Sequence, residues 1–288
     1  MDFHPNAPHM RLTMQIPRFL LMAGRLLPQG IRSAVNRRLG RSITFRGVYD
    51  DWNDASRAAS GYDDADLLRR VEAAALEAQA NAGAWERDGV VFRTSPVPPP
   101  YCDLLERVAR SRGNKLCVVD FGGGLGGTCR IVRGHLPADI DVRWHVVEQP
   151  HYVVSGRRHF EDARLNFHTS MASALKCVEP DVILMSSVLQ YLEDPYTLLR
   201  EVSESRAPYL VIDRHPCSGQ ADIITVQVVP KSIYPASYPC WVFDCGRMDE
   251  FLGHSFDRLC AWEASDPEIH GQGFRARFVG GTWRRVAK

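Results

Sequence analysis

A chain of 288 residues, 45% hydrophobic and 24% charged, can bury a substantial core and does not have the composition of a disordered segment. Its net charge of +1 hides an asymmetry: residues 1–46 hold eight Arg, no Lys and one acid, Asp2, so +7 there is balanced by −6 in the remainder. No apolar run is long enough to span a bilayer, since Arg18 and Arg25 interrupt "IPRFLLMAGRLLP", and no small-residue cleavage site follows it, so a cytoplasmic location is expected.

Residues 1–46 read as a basic amphipathic arm of two short helices, with Pro17 and Pro28 in first-turn positions and Gly40 as a stop. Arg11, Arg18, Arg25 and Arg32 recur every seventh residue beside Phe19, Leu20, Leu27 and Ile31. Such an arm suits peripheral contact with the inner, anionic face of a membrane, and equally a helix packed on its own domain with a solvated Arg face. The Lys and aromatic interleaving of a nucleic-acid site is absent, so no nucleic-acid partner is expected.

Residues 47–114 are expected to form a helical lid or preface. Turn-rich "FRGVYDDWNDASRAASGYDD" leads into a helical pattern, capped by Asp63 or Asp64, with Leu67, Leu68, Val71, Ala75 and Ala78 on one face. "AWERDGVVF" and the stiff "SPVPPP" precede a short helix around Leu104, Leu105 and Val108.

From Lys115 to residue 288, strand and helix patterns alternate, which implies βαβ units and a parallel sheet. "LCVVDF", "VRWHVVE", "LNFH", "DVILMS" and "YLVIDR" read as its strands, and "IITVQVV", "FDRLCAWE" and "FRARFVGGTWRRVA" as further strands, the last pair forming a hairpin. The eight cysteines include no C-x-x-C, so reduced, buried thiols are expected, with neither disulfide nor metal.

"VVDFGGGLGG" ends the first of these strands in a glycine turn. Gly122, Gly124 and Gly127 match the dinucleotide pattern G-x-G-x-x-G, while Asp120, Gly122, Gly124 and Gly126 match D-x-G-x-G-x-G. An acid beside the glycines suits the ammonium of a sulfonium amino acid better than a pyrophosphate, which needs helix amides and a positive dipole end. Glu148, at the end of the next strand, can accept ribose hydroxyls of either ligand. "PDVILMSSVLQYLEDPYTLLREV" places Ser186, Ser187, Gln190 and Tyr191 at the carboxyl end of a buried strand, in the same crevice.

With its acidic glycine loop and "VLQYLEDPYTLL", the chain resembles the class I S-adenosylmethionine-dependent methyltransferases. From about Phe45 onward, "FRGVYDDW", "GYDD", "WERDGVVF", "VVEQP", "VIDR" and "IYPASYPCWVF" are together similar to a family of bacterial methyltransferases associated with surface-polysaccharide gene clusters. The resemblance implies a Rossmann-like α/β fold: a mostly parallel sheet, helices on both faces, a C-terminal antiparallel hairpin and a helical N-terminal extension. It also implies S-adenosyl-L-methionine as cofactor and O-methylation of a glycan or other small-molecule acceptor. It departs at His215, where the related pattern has Thr.

A hydroxyl acceptor benefits from a base, and Asp213, His215 and Tyr191 are the candidates at strand ends. Each has a plainer role open to it: an ion pair for Asp213, a loop cap for His215, core packing for Tyr191. The cofactor set is Asp120, Gly122, Gly124, Gly126, Glu148 and Ser186, with Arg87, from the charged triplet Glu86, Arg87 and Asp88, reaching a carboxylate over the crevice. In "SIYPASYPCW", Tyr234, Tyr238 and Trp241 are expected on a rigid aromatic loop suited to stacking on a sugar, or packed over the sheet. A nicotinamide oxidoreductase and a non-catalytic binding module are the rival readings.

Overall fold

The computed structural model describes residues 42–61, 64–87, 89–231 and 235–287; the arm expected over residues 1–46 lies outside them up to residue 41. Residues 43–288 make one compact unit. In chain order its elements are β1 (Thr44–Tyr49), α1 (Trp52–Ala58), α2 (Asp64–Ala80), a hairpin of β2 (Trp85–Arg87) and β3 (Val90–Phe92), and α3 (Cys102–Ser111). β4 (Lys115–Phe121), α4 (Gly127–His135), β5 (Asp141–Val147), α5 (Pro150–His159), β6 (Leu165–His168), α6 (Met171–Cys177), β7 (Val182–Ser186) and α7 (Pro195–Glu204) follow in strict alternation. The chain ends with β8 (Tyr209–Ser218), β9 (Ile223–Val229), β10 (Ala236–Asp244), α8 (Cys245–Gly253), β11 (Phe256–Glu263), β12 (Ile269–His270) and β13 (Arg275–Arg285).

The central strands lie in the order β8-β7-β4-β5-β6, all parallel, and β13 runs antiparallel beside β8 with β11 antiparallel on β13. This is the parallel sheet that the alternating pattern predicts, in the mostly parallel, Rossmann-like form with a C-terminal hairpin that the resemblance implies. Strands buried on both faces need apolar residues throughout, and Ile183, Leu184 and Met185 of β7 are almost completely buried. One face is covered by α2, α3, α4 and α5, through Val71, Leu105, Val132 and Val153. The other is covered by α6, α7 and α8, through Ala174, Leu199 and Leu252. Asp194 accepts a hydrogen bond from the Thr197 amide (3.1 Å) and Pro195 occupies the first turn, so α7 starts where its sequence predicts.

Three findings differ from the sequence reading. The preface is not only helical, because β1 crosses position 46 to pair with β9, and β2 and β3 form a hairpin. Tyr238 and Trp241 lie on strand β10, paired antiparallel with β9, and not on a loop; Tyr234 lies outside the described residues. Pro239 is tolerated in β10 because the strand meets β8 only at Phe243 and Asp244, leaving one side at Pro239 free of a ladder partner. Cys217 and Cys245 are joined as a disulfide, Cα–Cα 5.7 Å, against the expectation of reduced thiols throughout. The parallel register explains the pairing: Phe243 sits opposite Cys217 and Asp244 opposite Ser218, so Cys245 is delivered beside Cys217 by the next residue.

Candidate active site

Parallel register brings the strand ends level. Phe121 pairs with both Val147 and Met185, and Ser186 pairs with Asp213, so the loops after β4, β5 and β7 meet at one edge of the sheet, beside Asp213 within β8. Gly122, Gly124 and Gly126 all have left-handed φ angles, +77°, +57° and +80°. At Gly122 a Cβ would also stand 2.5 Å from Val188 Cγ2, so the two loops touch only because the residue is glycine. A Cβ on Gly123 would stand 2.5 Å from Asp120 Oδ2, whereas one on Gly124 would meet nothing within 4 Å. The loop therefore curls tightly around the Asp120 carboxylate and is open at Gly124.

Asp120 is buried, and its Oδ2 accepts a hydrogen bond from Trp144 Nε1 at 2.9 Å. Burial pushes its carboxyl up to about 7, in spite of that bond. Glu148 accepts from the Gly124 amide (3.2 Å) and the Gln149 amide (2.8 Å), and burial raises its carboxyl as well. A carboxylate offers about four acceptor positions, so two remain on Glu148 for hydroxyl donors. Among the proposed cofactor residues, the structure thus brings Asp120, Gly122, Gly124, Gly126 and Glu148 together.

Ser186 belongs to the neighbouring strand end, where its hydroxyl donates to Asp213 Oδ2 at 3.1 Å and Trp262 Nε1 donates to Oδ1 at 2.9 Å. Burial raises the Asp213 carboxyl, and these two donors lower it in part. Ser187, with φ +55°, donates its amide N–H to the Asp213 carbonyl, and its hydroxyl oxygen accepts from Gln190 Nε2. Gln190 is fully buried, and among the described residues its Oε1 has no hydrogen-bond partner.

The remaining candidates make other contacts. Arg87 is exposed, its guanidinium 5.7 Å from the Trp85 ring centroid and 6.0 Å from that of Phe92. Its neighbour Glu86 is buried: Oε1 accepts from the Gly89 amide, and a Cβ on Gly127 would meet Oε2 at 3.4 Å. Asp88 lies outside the described residues. Tyr191 donates to Gln227 Oε1 (3.2 Å) and packs edge-on against Tyr238. His215 is on the opposite face of β8 from Asp213. Arg214, left-handed at φ +55°, interrupts the alternation, so His215 packs against Phe243, and burial pushes its imidazole down to about 4.

Tyr101, which no sequence pattern singles out, is 2% exposed at the start of α3. Burial, then the charges of Asp213 and Asp120, push its hydroxyl up, and its ring centroid lies 6.2 Å from that of Trp262, the donor to Asp213. Its only signal in the sequence is an aromatic residue closing the stiff "SPVPPP" connector.

Comparison with known proteins finds no matching family model and no matching curated protein. Solved structures with a distant likeness include a magnesium protoporphyrin IX methyltransferase from Synechocystis PCC 6803 with bound SAM, at 13% identity and TM-score 0.39, covering 64% of this chain and 78% of that one. The N-terminal domain of EvdMO1 in the presence of SAH and D-fucose has 11% identity and TM-score 0.42, over 78% of this chain and 98% of that one. CalS10, an amino pentose methyltransferase from Micromonospora echinaspora, has 13% identity and TM-score 0.38, over 62% and 88%. At these scores the functional reading rests on the residues of this chain.

Proposed function

We propose that this protein is a methyltransferase using S-adenosyl-L-methionine. The observation that carries the reading is the buried Asp120 carboxylate against Gly123 of a loop that holds three left-handed glycines, with Glu148 at the end of the adjacent strand. The residues fit the group: Asp120 supplies an anion near the loop for the amino acid ammonium, Gly124 leaves space for close approach, and Glu148 retains acceptor positions for the ribose diol. Bound there, the cofactor would supply a methyl carbon made electrophilic by its sulfonium.

The chain's own part is then to hold an acceptor in line with that carbon and to take its proton. Asp213 is the candidate base: it is a buried carboxylate, raised toward neutrality, held in one orientation by Ser186 and Trp262. Tyr101, whose hydroxyl burial pushes up, packs by Trp262, the donor to Asp213. His215 is not assigned this step, because it lies on the other face of β8. For the acceptor, the resemblance in sequence supports a hydroxyl of a glycan or another small molecule used in cell-surface polysaccharide biosynthesis. Among the described residues no helix is long and apolar enough to cross a membrane, and the basic arm is proposed as a peripheral contact with its inner face.

Calorimetric titration of the full chain with S-adenosylmethionine, its demethylated product and NAD tests the donor. Micromolar binding of the first two and none of NAD is expected. Binding of NAD alone would establish the dinucleotide reading of the glycine loop instead, and the absence of all binding would favour a non-catalytic module.

A further inference from the structure

His215, Cys217 and Cys245 stand apart from the proposed methyl-transfer site and are not used by it. Beyond Asp213, β8 leaves its ladder with β7 and continues to Ser218, where its partners are β13 and the end of β10. After the left-handed turn at Arg214, positions 215 and 217 fall on one face of the strand by the two-residue period. The register of β8 with β10 then sets Cys245, first residue of α8, against Cys217. The ligand-capable atoms of the three side chains all lie within 4.8 Å of one another.

A second observation points to a ligand. His215 is 97% buried, since only 3% of it is exposed, and among the described residues its Nδ1 has no hydrogen-bond partner. A buried imidazole nitrogen is normally satisfied by a donor, an acceptor or a metal, because leaving it bare sacrifices its hydration without return. The group also opens on a cavity of about 390 Å³, lined by His215 and Cys245 together with Met248, Asp249, Trp262 and Trp283.

We infer that, in its dithiol form, the protein holds one zinc ion on His215, Cys217 and Cys245, with the fourth position facing this cavity. Two thiolates and one neutral imidazole are a set that zinc favours, and three protein ligands leave a position for water or an incoming donor. With metal–sulfur and metal–nitrogen lengths of about 2.3 and 2.0 Å, ligand atoms around a tetrahedral ion sit roughly 3.5–4 Å apart, within reach of this cluster by side-chain rotation. Binding releases the two thiol protons. The Cys217–Cys245 disulfide is the metal-free, oxidised counterpart: by exchange the two thiolates pass two electrons to an external disulfide, whose sulfur–sulfur bond breaks to give two thiolates, while the Cys217–Cys245 bond forms and the ion is released.

The test uses the full chain reduced with a phosphine, stripped with chelator, and titrated with Co²⁺ as the probe and then Zn²⁺. One equivalent of Co²⁺ should bind with tetrahedral visible bands and a thiolate-to-metal charge-transfer band, and Zn²⁺ should displace it. X-ray absorption of the zinc-loaded wild type should show two sulfur ligands and an imidazole, a readout that requires no variant. Cys217→Ser, Cys245→Ser and His215→Ala should each weaken binding at least tenfold, whereas Cys260→Ser, at an exposed thiol elsewhere, should not. Oxidation with diamide, which takes up the two electrons with two protons, should abolish binding. A coordination shell without sulfur, or metal affinity unchanged after diamide, would overturn the assignment.

Discussion

Asp120→Asn separates the stability of the sheet from its proposed use. In the folded protein the Asp120 carboxyl is raised from 3.8 to about 7 by burial. The folded state therefore holds its proton more tightly than the unfolded chain, and stability is lost as pH climbs from near 4 through 7. At 1.36 kcal/mol per pH unit the full loss is about 4 kcal/mol, and roughly 2.5 kcal/mol of it falls between pH 5 and pH 8. Asparagine keeps an acceptor for Trp144 Nε1 and does not titrate. Urea unfolding of both proteins at pH 5, 6, 7 and 8, followed by tryptophan fluorescence, should show the variant gaining on wild type by about 2.5 kcal/mol across that range. Comparing the two proteins cancels the other raised carboxyls, Glu148 and Asp213. The same variant should lose S-adenosylmethionine binding, so that stability and affinity move in opposite directions. A stability difference that does not change with pH would refute the claim that Asp120 is held as a costly buried charge.

Gly122→Ala should destabilise by about 1–3 kcal/mol in urea, since it combines φ +77° with a 2.5 Å approach to Val188 Cγ2; pairing it with Val188→Ala should recover the steric part only. Asp213→Asn should lower kcat by about 10²-fold or more and flatten its pH profile, while the affinity for S-adenosylmethionine stays near wild type; a fall in affinity alone would make Asp213 a binding residue. Arg285 donates to the carbonyls of Ala207, Ser203 and Val202 and lies 4.4 Å from the Phe256 ring centroid. Arg285→Ala should therefore cost about 1–3 kcal/mol in thermal or urea unfolding with no change in cofactor affinity, and Lys there should not restore it.

The central domain was legible from local rules. β-branched runs such as "LCVVDF" and "DVILMS", punctuated by Gly, Pro and Asp, specify buried parallel strands and helix starts through backbone sterics and capping, which act within a few residues. The acidic glycine loop was legible for the same reason: a turn of left-handed residues leaves few alternatives to glycine. What sequence could not decide is set by partners distant along the chain. β1 and β10 are strands because β9 offers each an edge, and Pro239 is permitted there only because its other side is unladdered. Glu86, and not Arg87, is buried beside α4 because the β2–β3 hairpin faces it inward. Tyr101 meets Trp262, the donor to Asp213, only after α3 folds over the sheet. The single left-handed residue Arg214 sends His215 away from Asp213, two positions earlier, and toward two cysteines whose spacing of 28 residues matches no local motif. Propensity and periodicity are short-range and determined the elements; register and the faces they expose are long-range, and decided which side chains meet.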